Sequence, residues 1–328
     1  MKAAVWTFIE PRDTSITPSD KIARLVSELA DAPLVWNNEW FGKNVGKLKQ
    51  LDVLFIVNGP FAFCKHIECV APAVRIAKRI IWIQNDYAIV PPKSDSKGES
   101  PFRAAFRERK EAGLPDMEFW TTVEEYVKNK RDRYVNWNAM AYTPLDLPPV
   151  TEPSALDRCA IYYGYFRDYR KEAFDTYFAK AGDWMHVASP SKDFPMLYPR
   201  LCLLQPIKGD NWLKRLRSYG AGLYIEDKRQ HTEYHSPATR FFEMLSAGLP
   251  IAFDEDCTRT FERFRERSFY DDSGEYDIDI EPFTVGSRKE LREFIKDRIK
   301  IAKAQHKWRH DYVADLRAKV TKLMKKVL

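Results

Sequence analysis

Glycine is scarce in this sequence, and its scarcity restricts the kinds of nucleotide-binding enzyme that the chain can be. Only 13 of the 328 residues are glycine. None of them builds the Gly-x-Gly-x-x-Gly fingerprint of dinucleotide-binding proteins, a phosphate-binding Walker loop or a nucleophile elbow. We therefore expect neither a dehydrogenase nor a P-loop enzyme.

Cysteines are few, and long apolar runs are missing. The cysteines are odd in number and form no C-x-x-C pair; they are Cys64, Cys69, Cys159, Cys202 and Cys257. This pattern disfavours disulfides and a structural zinc site, and we expect no metal-ligating residues. No apolar run reaches the length of a membrane span, and Met1–Thr7 enters a strand without a signal-peptide profile. The sequence thus predicts a cytoplasmic protein without a membrane partner.

A large excess of one charge sign is also missing. The 53 Lys and Arg residues face 47 Asp and Glu residues, which gives a formal net charge of +6. The cations concentrate in Lys93–Lys110, Lys128–Arg133 and Lys319–Lys326. Such runs usually form solvated faces, and they also suit a partner with a phosphate backbone. A hydrophobic content of 45% is typical of a globular chain, and the length is sufficient for two domains.

Short apolar runs alternate with helical patterns along the chain, which predicts open, mostly parallel sheets. The predicted strands of the first half are Ala3–Ile9, Val53–Val57, Ile80–Ile83, Phe119–Val123 and Tyr134–Trp137. Thr17 as N-cap and Pro18 at the first helical position mark the start of a helix. The predicted strands of the second half are Ala160–Tyr163, Trp184–Val187, Leu201–Leu204, Gly222–Ile225 and Pro250–Phe253.

The proline-rich segment Thr143–Pro153 separates the two halves, because proline continues neither helices nor central strands. The fold class is therefore α/β, with two Rossmann-like αβα domains that face a central cleft. We expect the first domain over residues 1–150 and the second over 151–300. A charged C-terminal helix over 301–328 is expected to pack back on the first domain.

The segment Ser236–Phe253 carries the most informative functional pattern. It predicts a loop, a short helix, a glycine stop and a buried strand, with Arg240 and Glu243 on one face near the helix N-terminus. A cation and a carboxylate there suit a nucleotide-sugar, with Arg240 on the diphosphate and Glu243 on the ribose hydroxyls. An intrahelical ion pair on a solvated face fits this segment equally well.

A second candidate segment, Gly164–Arg170, follows a predicted strand and opens a helix. Glycine lets a phosphate approach the backbone at this point. Arg167 and Arg170 flank the helix N-terminus, where cations oppose the helix dipole unless an anion is bound. An ordinary strand–helix turn with exposed arginines is the alternative.

Other polar residues also follow predicted strands or begin helices. Asp86 follows a strand, where a carboxylate can act as a general base, although a turn or cap role is commoner. Asp20 at a helix start is a capping residue by default. Glu226–Lys228 is interpreted as a polar loop at the functional end of the sheet. The basic loop Pro91–Pro115 is a solvated loop by default and would supply backbone contacts to a nucleic-acid acceptor.

Taken together, these segments resemble the DNA β-glucosyltransferase of the T-even bacteriophages, a glycosyltransferase with the GT-B fold of two Rossmann-like domains. The resemblance runs almost end to end, and five motifs fall in the same order. They are Pro18–Ile22, Ile81–Asp86, Tyr163–Arg167, Ile225–Lys228 and Arg240–Glu243. It implies an inverting enzyme that moves a sugar, with glucose favoured, from a UDP-sugar such as UDP-glucose. The implied acceptor is the hydroxymethyl group of 5-hydroxymethylcytosine or 5-hydroxymethyluracil in phage DNA.

The resemblance also implies residue roles. Asp86 takes the place of the catalytic base, and Asp20 stands where the family has an active-site glutamate. The implied donor-binding residues are Gly164, Arg167, Arg170, Asp227, Arg240 and Glu243. A divalent ion, Mg²⁺ or Mn²⁺, assists product release in that family, although no ligand set is visible in this sequence.

The loop Asn58–Lys65 occupies the position of the family's DNA-facing loop, with Ala62 where the family has an asparagine. The residues expected on the DNA are Phe61, Phe63, Lys65, Lys93, Arg103 and Arg107. The target base is expected to be flipped out of the stack, because the acceptor oxygen must meet the anomeric carbon inside a cleft. We further expect a monomer in the cytoplasm of an infected bacterial cell.

Two other functions remain open from the sequence. A GT-B transferase that acts on a surface glycan or a small molecule would share the donor site without binding DNA, and salt-dependent DNA binding separates the two. A non-catalytic DNA-binding protein could keep a GT-B shell, and donor hydrolysis without acceptor would argue against it.

Overall fold

A computed structural model of the chain describes residues 3–7, 18–35, 51–57, 70–84, 101–122, 127–142, 154, 156–206, 212–226, 238–257 and 283–328. The chain divides into two units. The first comprises Met1–Ala141 and Leu316–Leu328, and the second comprises Tyr142–Asp315. Each unit has its own sheet, whose described strands all pair in parallel.

The first unit is built on a sheet of six described strands. They are β1 (Ala3–Thr7), β2 (Leu34–Val35), β3 (Leu51–Val57), β4 (Ala77–Gln84), β5 (Glu118–Thr121) and β6 (Arg133–Tyr134). Their order across the sheet is β2–β1–β3–β4–β5–β6. The described helices are α1 (Pro18–Ala30), α2 (Ala71–Ile76), α3 (Pro101–Glu111) and α4 (Trp137–Tyr142). In β3 and β4 the runs Val53–Val57 and Ile80–Ile83 are apolar and buried throughout, as expected for parallel strands covered on both faces.

The second unit repeats this plan with a second sheet of six described strands. They are β7 (Leu156–Tyr163), β8 (Met185–Ala188), β9 (Cys202–Leu204), β10 (Tyr219–Tyr224), β11 (Ile251–Asp254) and β12 (Thr284–Val285). Their order is β12–β11–β10–β7–β8–β9. The helices are α5 (Lys171–Phe178), α6 (Asp193–Leu197), α7 (Trp212–Leu216), α8 (Thr239–Ser246), α9 (Arg288–Lys296) and α10 (Arg298–Val327).

Aromatic packing holds α5 and α6 against β7. The buried Tyr162 ring of β7 lies 5.3 Å from the Phe174 ring and 6.0 Å from the Phe194 ring, measured between centroids. Phe178 stacks on Phe174 at 5.3 Å. These rings bury large apolar areas in edge and offset contacts, which makes the end of β7 a rigid platform.

Helix α8 packs unusually close to β10 because a glycine of that strand leaves room for it. A Cβ on Gly222 would lie 2.6 Å from Met244 Sδ and 2.9 Å from Leu249 Cδ2. At the start of α8, the backbone N–H of Ala238 donates to the Tyr224 hydroxyl across 2.8 Å. Strand β10 therefore determines how closely α8, the helix that carries Arg240 and Glu243, approaches the sheet and where this helix begins.

The predicted strands all overlap observed ones, but one boundary prediction is wrong. The strand predicted over Tyr134–Trp137 ends at Tyr134, and Trp137 begins α4. The reason is a cap: Asn136 Oδ1 accepts a hydrogen bond from the Ala139 N–H across 3.1 Å, which satisfies a donor of the first helical turn. The sequence patterns also miss β2 and β12, which are two residues long each.

The final helix, α10, contributes to both units of the chain. Its residues up to Asp315 belong to the second unit, and Leu316–Leu328 belongs to the first. In the latter part, Leu316, Val320 and Met324 are buried at four-residue spacing. Arg317 Nη2 donates to the Met140 carbonyl at 3.5 Å. Among the described helices, none is both long and apolar enough to cross a bilayer.

Candidate active site

The second unit has a topological switch point between β7 and β10. These strands are hydrogen-bonded neighbours, whereas β8 and β9 lie between them in sequence on the far side of β7. Open α/β sheets bind ligands at the carboxyl ends of the strands at such points. Gly164 follows β7 directly and Glu226 follows β10 by two residues, so both lie at this switch point.

Arg240, in the first turn of α8, reaches to the end of β7. Its Nη1 donates to the Tyr163 carbonyl across 2.9 Å, and its guanidinium carbon lies 5.2 Å from the centroid of the Tyr162 ring. Its Nε lies 2.7 Å from Oε1 of Glu226. Three independent contacts thus hold this guanidinium at the carboxyl end of the sheet.

Gly164 is required by this arrangement. Its φ of +143° lies in a region that L side chains rarely adopt, and a Cβ at this position would lie 2.8 Å from Arg240 Nη1. The sequence predicted that glycine would let a phosphate approach the backbone. In the structure, the missing Cβ also makes room for the arginine that would contact that phosphate.

Glu226 binds two arginines at once. Its Oε2 lies 2.5 Å from Arg170 Nη2, while Oε1 faces Arg240. Its backbone N–H donates to Cys257 Sγ at 3.4 Å. Burial raises the pKa of the Cys257 thiol well above its usual range, so the sulfur adds no negative charge here. Glu226 lies in the loop that follows β10, and in this loop its side chain is buried.

The two arginines that contact Glu226 keep their charge. Burial alone would lower the pKa of a guanidinium, but the Glu226 carboxylate outweighs this effect and raises the pKa of both Arg170 and Arg240. Arg170, which is buried, and Arg240, whose side chain is 14% exposed, face one buried carboxylate, so these three side chains together carry a net positive charge. Such a site attracts an anion.

Tyr163 connects Arg240 to Glu243. The Tyr163 hydroxyl lies 3.0 Å from Glu243 Oε2 and 3.1 Å from the Arg240 carbonyl. Glu243 is half-buried, and the Arg240 guanidinium is directed to Glu226 on the neighbouring strand end. The pattern of a solvated intrahelical pair therefore does not describe Arg240.

The helix N-terminus adds a further attraction for anions. Within the described part of the chain no side chain caps α8 at Ala238, so its first N–H groups carry the positive end of the helix dipole. Arg167 lies after Gly164 on the same segment, is exposed, and has its guanidinium 5.7 Å from the Tyr165 ring centroid. Arg170, in contrast, is buried by Glu226 and Tyr162.

The first unit has buried polar groups at the carboxyl ends of its strands. Thr7 ends β1, Gln84 ends β4, and Asp20 is buried in the first turn of α1. Thr7 Oγ1 and Gln84 Oε1 are buried without a hydrogen-bond partner in the part of the chain that is described. Buried polar atoms are nearly always satisfied, so such atoms at this end of a sheet indicate a place for a polar ligand.

Most of the remaining predicted site residues are not described by the structure. Asp86, Asp227, Phe61, Phe63, Lys65 and Lys93 lie outside the described residues. Arg103 lies in α3, and its side chain is not described. Arg107 is an exposed residue of α3 whose Nη1 lies 3.1 Å from Glu111 Oε1.

Sequence reasoning did not assign Glu226, Tyr162 or Tyr163 to the site. The partners of Glu226 lie far away in the sequence, since Arg170 is 56 positions earlier. The available signal was positional: Glu226 follows a strand of the same sheet as Gly164 does, and carboxyl strand ends converge at one edge. A Glu placed there next to two arginines from other segments indicates a shared site.

Comparison with solved structures finds the same architecture in phage DNA-modifying enzymes. The T4 phage β-glucosyltransferase in complex with its UDP-glucose substrate matches with a TM-score of 0.63 and 17% identity, over 100% of this chain and 99% of that chain. The T4 enzyme in complex with UDP and Mn²⁺ gives 0.63 and 15%, with the same coverage. An α-glucosyltransferase in complex with UDP-glucose and DNA containing an abasic site gives 0.54 and 10%, over 99% of both chains.

No protein-family model and no curated protein sequence matches the chain. At these identities the likeness to solved structures establishes the fold, and it spans both units. The prediction of two Rossmann-like αβα domains is confirmed. The chain has the GT-B fold of the phage DNA glucosyltransferases, which the sequence resemblance predicted.

Proposed function

We propose that this chain is an inverting glycosyltransferase that moves a sugar, with glucose favoured, from a UDP-sugar to a hydroxymethylated pyrimidine in DNA. The observation that carries the proposal is the site formed by Gly164, Glu226 and Arg240 at the switch point of the second sheet. It combines two cations that share a buried carboxylate, a close backbone approach and a helix N-terminus that no described side chain caps. Each of these features favours the binding of a nucleotide-sugar diphosphate.

The donor is held by residues of the second unit. Arg240 and Arg167 contact the diphosphate, and Arg170 supports Arg240 through the carboxylate that they share. Glu243 accepts hydrogen bonds from the ribose hydroxyls, with its Oε2 held by Tyr163. Asp227, the third residue after the end of β10, belongs to the same donor site. These cations stabilise the charge that develops on the departing UDP.

The transfer itself is a single displacement at the anomeric carbon. The hydroxymethyl oxygen of the acceptor forms a bond to that carbon while the bond from the carbon to the UDP oxygen breaks. Asp86 accepts the proton of the attacking hydroxyl, and UDP leaves as the anion. Asp20 positions the sugar. Attack opposite to the leaving group inverts the anomeric configuration.

The acceptor is DNA with a modified base, either 5-hydroxymethylcytosine or 5-hydroxymethyluracil. Support comes from structural neighbours whose complexes contain UDP-glucose and DNA. The base is flipped into the site, because the reacting hydroxymethyl group is otherwise held in the duplex. The DNA contacts come from Phe61, Phe63, Lys65, Lys93, Arg103 and Arg107. We place the protein, as a monomer, in the cytoplasm of an infected bacterium.

A divalent ion enters this proposal only through a neighbour that holds UDP and Mn²⁺. Among the described residues no group of three or more His, Cys, Asp or Glu side chains is arranged to hold a metal ion. The buried carboxylate of the donor site, Glu226, already faces two guanidiniums. The described residues therefore do not fit a protein-ligated ion, and we assign it no step.

The decisive experiment uses a panel of UDP-sugars with DNA that carries 5-hydroxymethylcytosine, 5-hydroxymethyluracil or neither. Digestion and mass spectrometry of the nucleosides should find a hexose mass on one modified base. Mass on neither base, with UDP still bound, would favour a transferase for a glycan or a small molecule. Absence of both transfer and donor hydrolysis would favour a non-catalytic DNA-binding protein.

Two variants test the assigned roles. Asp86→Ala should abolish transfer and retain UDP affinity, because the base acts only on the acceptor proton. Arg240→Gln should weaken UDP binding by about tenfold or more, since a charged diphosphate contact is lost. Arg200→Gln, which changes an exposed arginine of the same unit, is the matched control. An active Asp86→Ala enzyme, or unchanged UDP affinity in Arg240→Gln, would refute the respective role.

A further inference from the structure

The second unit carries a basic groove that the donor site does not use. The groove is lined by Lys180, Trp184, Arg288, Lys289, Arg292, Glu293 and Lys296. Trp184 directly precedes β8, and the other lining residues except Lys180 come from α9, which packs on β7 and β10. An adjoining hollow shares Trp184, Arg292 and Lys296 and adds Asp157, Arg158, Ile295 and Arg298. Its carboxylate, that of Asp157, already pairs with Arg298 at 3.0 Å.

This groove lies at the opposite edge of the sheet from the donor site. Arg158 and Trp184 lie at the amino ends of β7 and β8, whereas Gly164 and Glu226 follow the carboxyl ends of β7 and β10. A strand advances about 3.3 Å per residue, so the length of β7 separates the two edges by about 20 Å. No nucleotide-sugar bound at Arg240 reaches the groove.

Cations dominate the groove. One carboxylate, that of Glu293, faces five Lys and Arg side chains, and Lys296 Nζ already pairs with it at 2.7 Å. In the described part of the chain, no carboxylate forms an ion pair with Lys180, Arg288, Lys289 or Arg292. Unpaired cations gathered in a concave surface raise the local potential and attract polyanions.

The cations are also arranged in a row. Arg288, Arg292 and Lys296 recur every four residues on one face of α9, at about 6 Å per step along the helix. The Arg292 guanidinium carbon stacks 4.7 Å from the Trp184 ring centroid, which fixes its position. Duplex DNA carries about one negative charge per 1.7 Å of its axis, so a row of this length faces several phosphates.

We propose that the basic groove binds the phosphodiester backbone of DNA at a stretch remote from the target base. The inference rests on the proposed function, which supplies DNA as the partner. Lys180, Arg288, Lys289 and Arg292 provide the phosphate contacts. Contacts of this kind carry no sequence information, and they retain the enzyme on long DNA between transfers.

The test compares two triple charge reversals that lower the net charge of the protein by the same amount. The variant Arg288→Glu with Lys289→Glu and Arg292→Glu removes three groove cations. The control, Lys192→Glu with Arg200→Glu and Lys214→Glu, makes the same charge change at exposed residues of the same unit. Unmodified duplexes of about 15 and about 60 base pairs are the probes, since affinity for them needs no transfer. UDP affinity and circular dichroism verify folding.

The groove variant should bind the longer duplex at least about tenfold more weakly than wild type and the control. Its plot of log affinity against log salt should be less steep by about two to three. Equal affinity and equal slope for groove variant and wild type would overturn the proposal. If the triple variant fails to fold, Lys180→Glu and Arg292→Gln give the same comparison with smaller effects.

The DNA-binding test of the groove does not depend on whether the protein catalyses the proposed sugar transfer. Transfer of sugar by the wild-type enzyme to a short duplex with one hydroxymethylated base tests the reaction alone. If wild type transfers sugar and the groove variant binds DNA as tightly as wild type, only the proposal about the groove is refuted. If wild type transfers no sugar but the groove variant still loses DNA affinity, only the proposed reaction is refuted.

Discussion

Arg240 Nε and Glu226 Oε1 lie 2.7 Å apart in a site where the arginine side chain is 14% exposed and the glutamate side chain 1%. The pair joins the start of α8 to the end of β10. Because Arg170 contacts the other oxygen of the same carboxylate, one anion organises two cations before any ligand binds. In the free protein, the Glu226 carboxylate therefore supplies part of the negative charge that a diphosphate would supply in the complex.

Replacing Glu226 with Gln should destabilise the free protein more than the complex with UDP. The change leaves two buried guanidiniums without their carboxylate, and loss of one partner of a buried pair costs about 3–5 kcal/mol. UDP restores negative charge, so it should raise the melting temperature of the variant by more than that of wild type. Urea unfolding with and without UDP measures both effects. Glu172→Gln, at an exposed position of α5, is the control, and equal UDP-induced shifts would contradict this account.

Replacing Gly164 with Ala should weaken UDP binding by about tenfold or more, because the new Cβ displaces the Arg240 guanidinium. Strain at a φ of +143° adds about 1–3 kcal/mol of instability. Gly182→Ala separates the two effects, since Gly182 also has positive φ but has open space around its missing Cβ. That control should lose stability and keep its UDP affinity. Calorimetric titration with UDP decides, and equal affinities in all three proteins would exclude the displacement.

Replacing Tyr163 with Phe should reduce UDP affinity about fivefold, through loss of the hydroxyl that holds Glu243 Oε2. If Glu243 binds the ribose, the loss should shrink when the ligand is deoxyuridine diphosphate, which lacks one ribose hydroxyl. Tyr165→Phe is the control, because Tyr165 is 60% exposed. An identical loss with both nucleotides would place the effect of Tyr163 on Arg240 instead of Glu243.

Replacing Asp254 with Asn should stabilise the protein near neutral pH. Burial, only partly offset by the Tyr177 hydroxyl 2.8 Å away, raises the pKa of Asp254 from 3.8 to about 6. Tyr177 Oη also lies 2.6 Å from the Val285 carbonyl, so a protonated Asp254 can donate to the tyrosine while the tyrosine donates to that carbonyl. Asn keeps such a donor and carries no charge.

The sign of the effect follows from the raised pKa of Asp254. Its stabilising contribution is fully present below about pH 4 and is lost as the pH rises to about 6, because the unfolded chain ionises first. The difference corresponds to at most about 3 kcal/mol. Urea unfolding from pH 4 to pH 8 should show this decline in wild type and a flatter profile in Asp254→Asn. The control Asp297→Asn, at an exposed site, should show the same dependence of stability on pH as wild type. If the Asp254 carboxylate were already ionised at pH 4, the profile of Asp254→Asn would also match that of wild type, which would contradict this prediction.

The sheets and the main cation of the site could be predicted because their signals are local. Continuous apolar runs such as Leu51–Val57 identify buried parallel strands, and Arg240 with Glu243 lies within one short helix. The strand predicted over Tyr134–Trp137 is too long, because Tyr, Val and Trp favour strands whereas the Asn136 cap starts a helix at Trp137. For Glu226 the sequence offered only its position after a strand, because its burial and its ion pairs depend on side chains from two other segments.

The first unit is built from two separate segments of the chain, and this affects when its core can be completed during synthesis. Leu316–Leu328, which belongs to the first unit and supplies the buried Leu316, Val320 and Met324, is translated after every residue of the second unit. When the second unit has been completely synthesised, the first unit still lacks the C-terminal segment that supplies part of its core. The half of the protein that is made first can therefore complete its core only after the whole of the second unit has been synthesised.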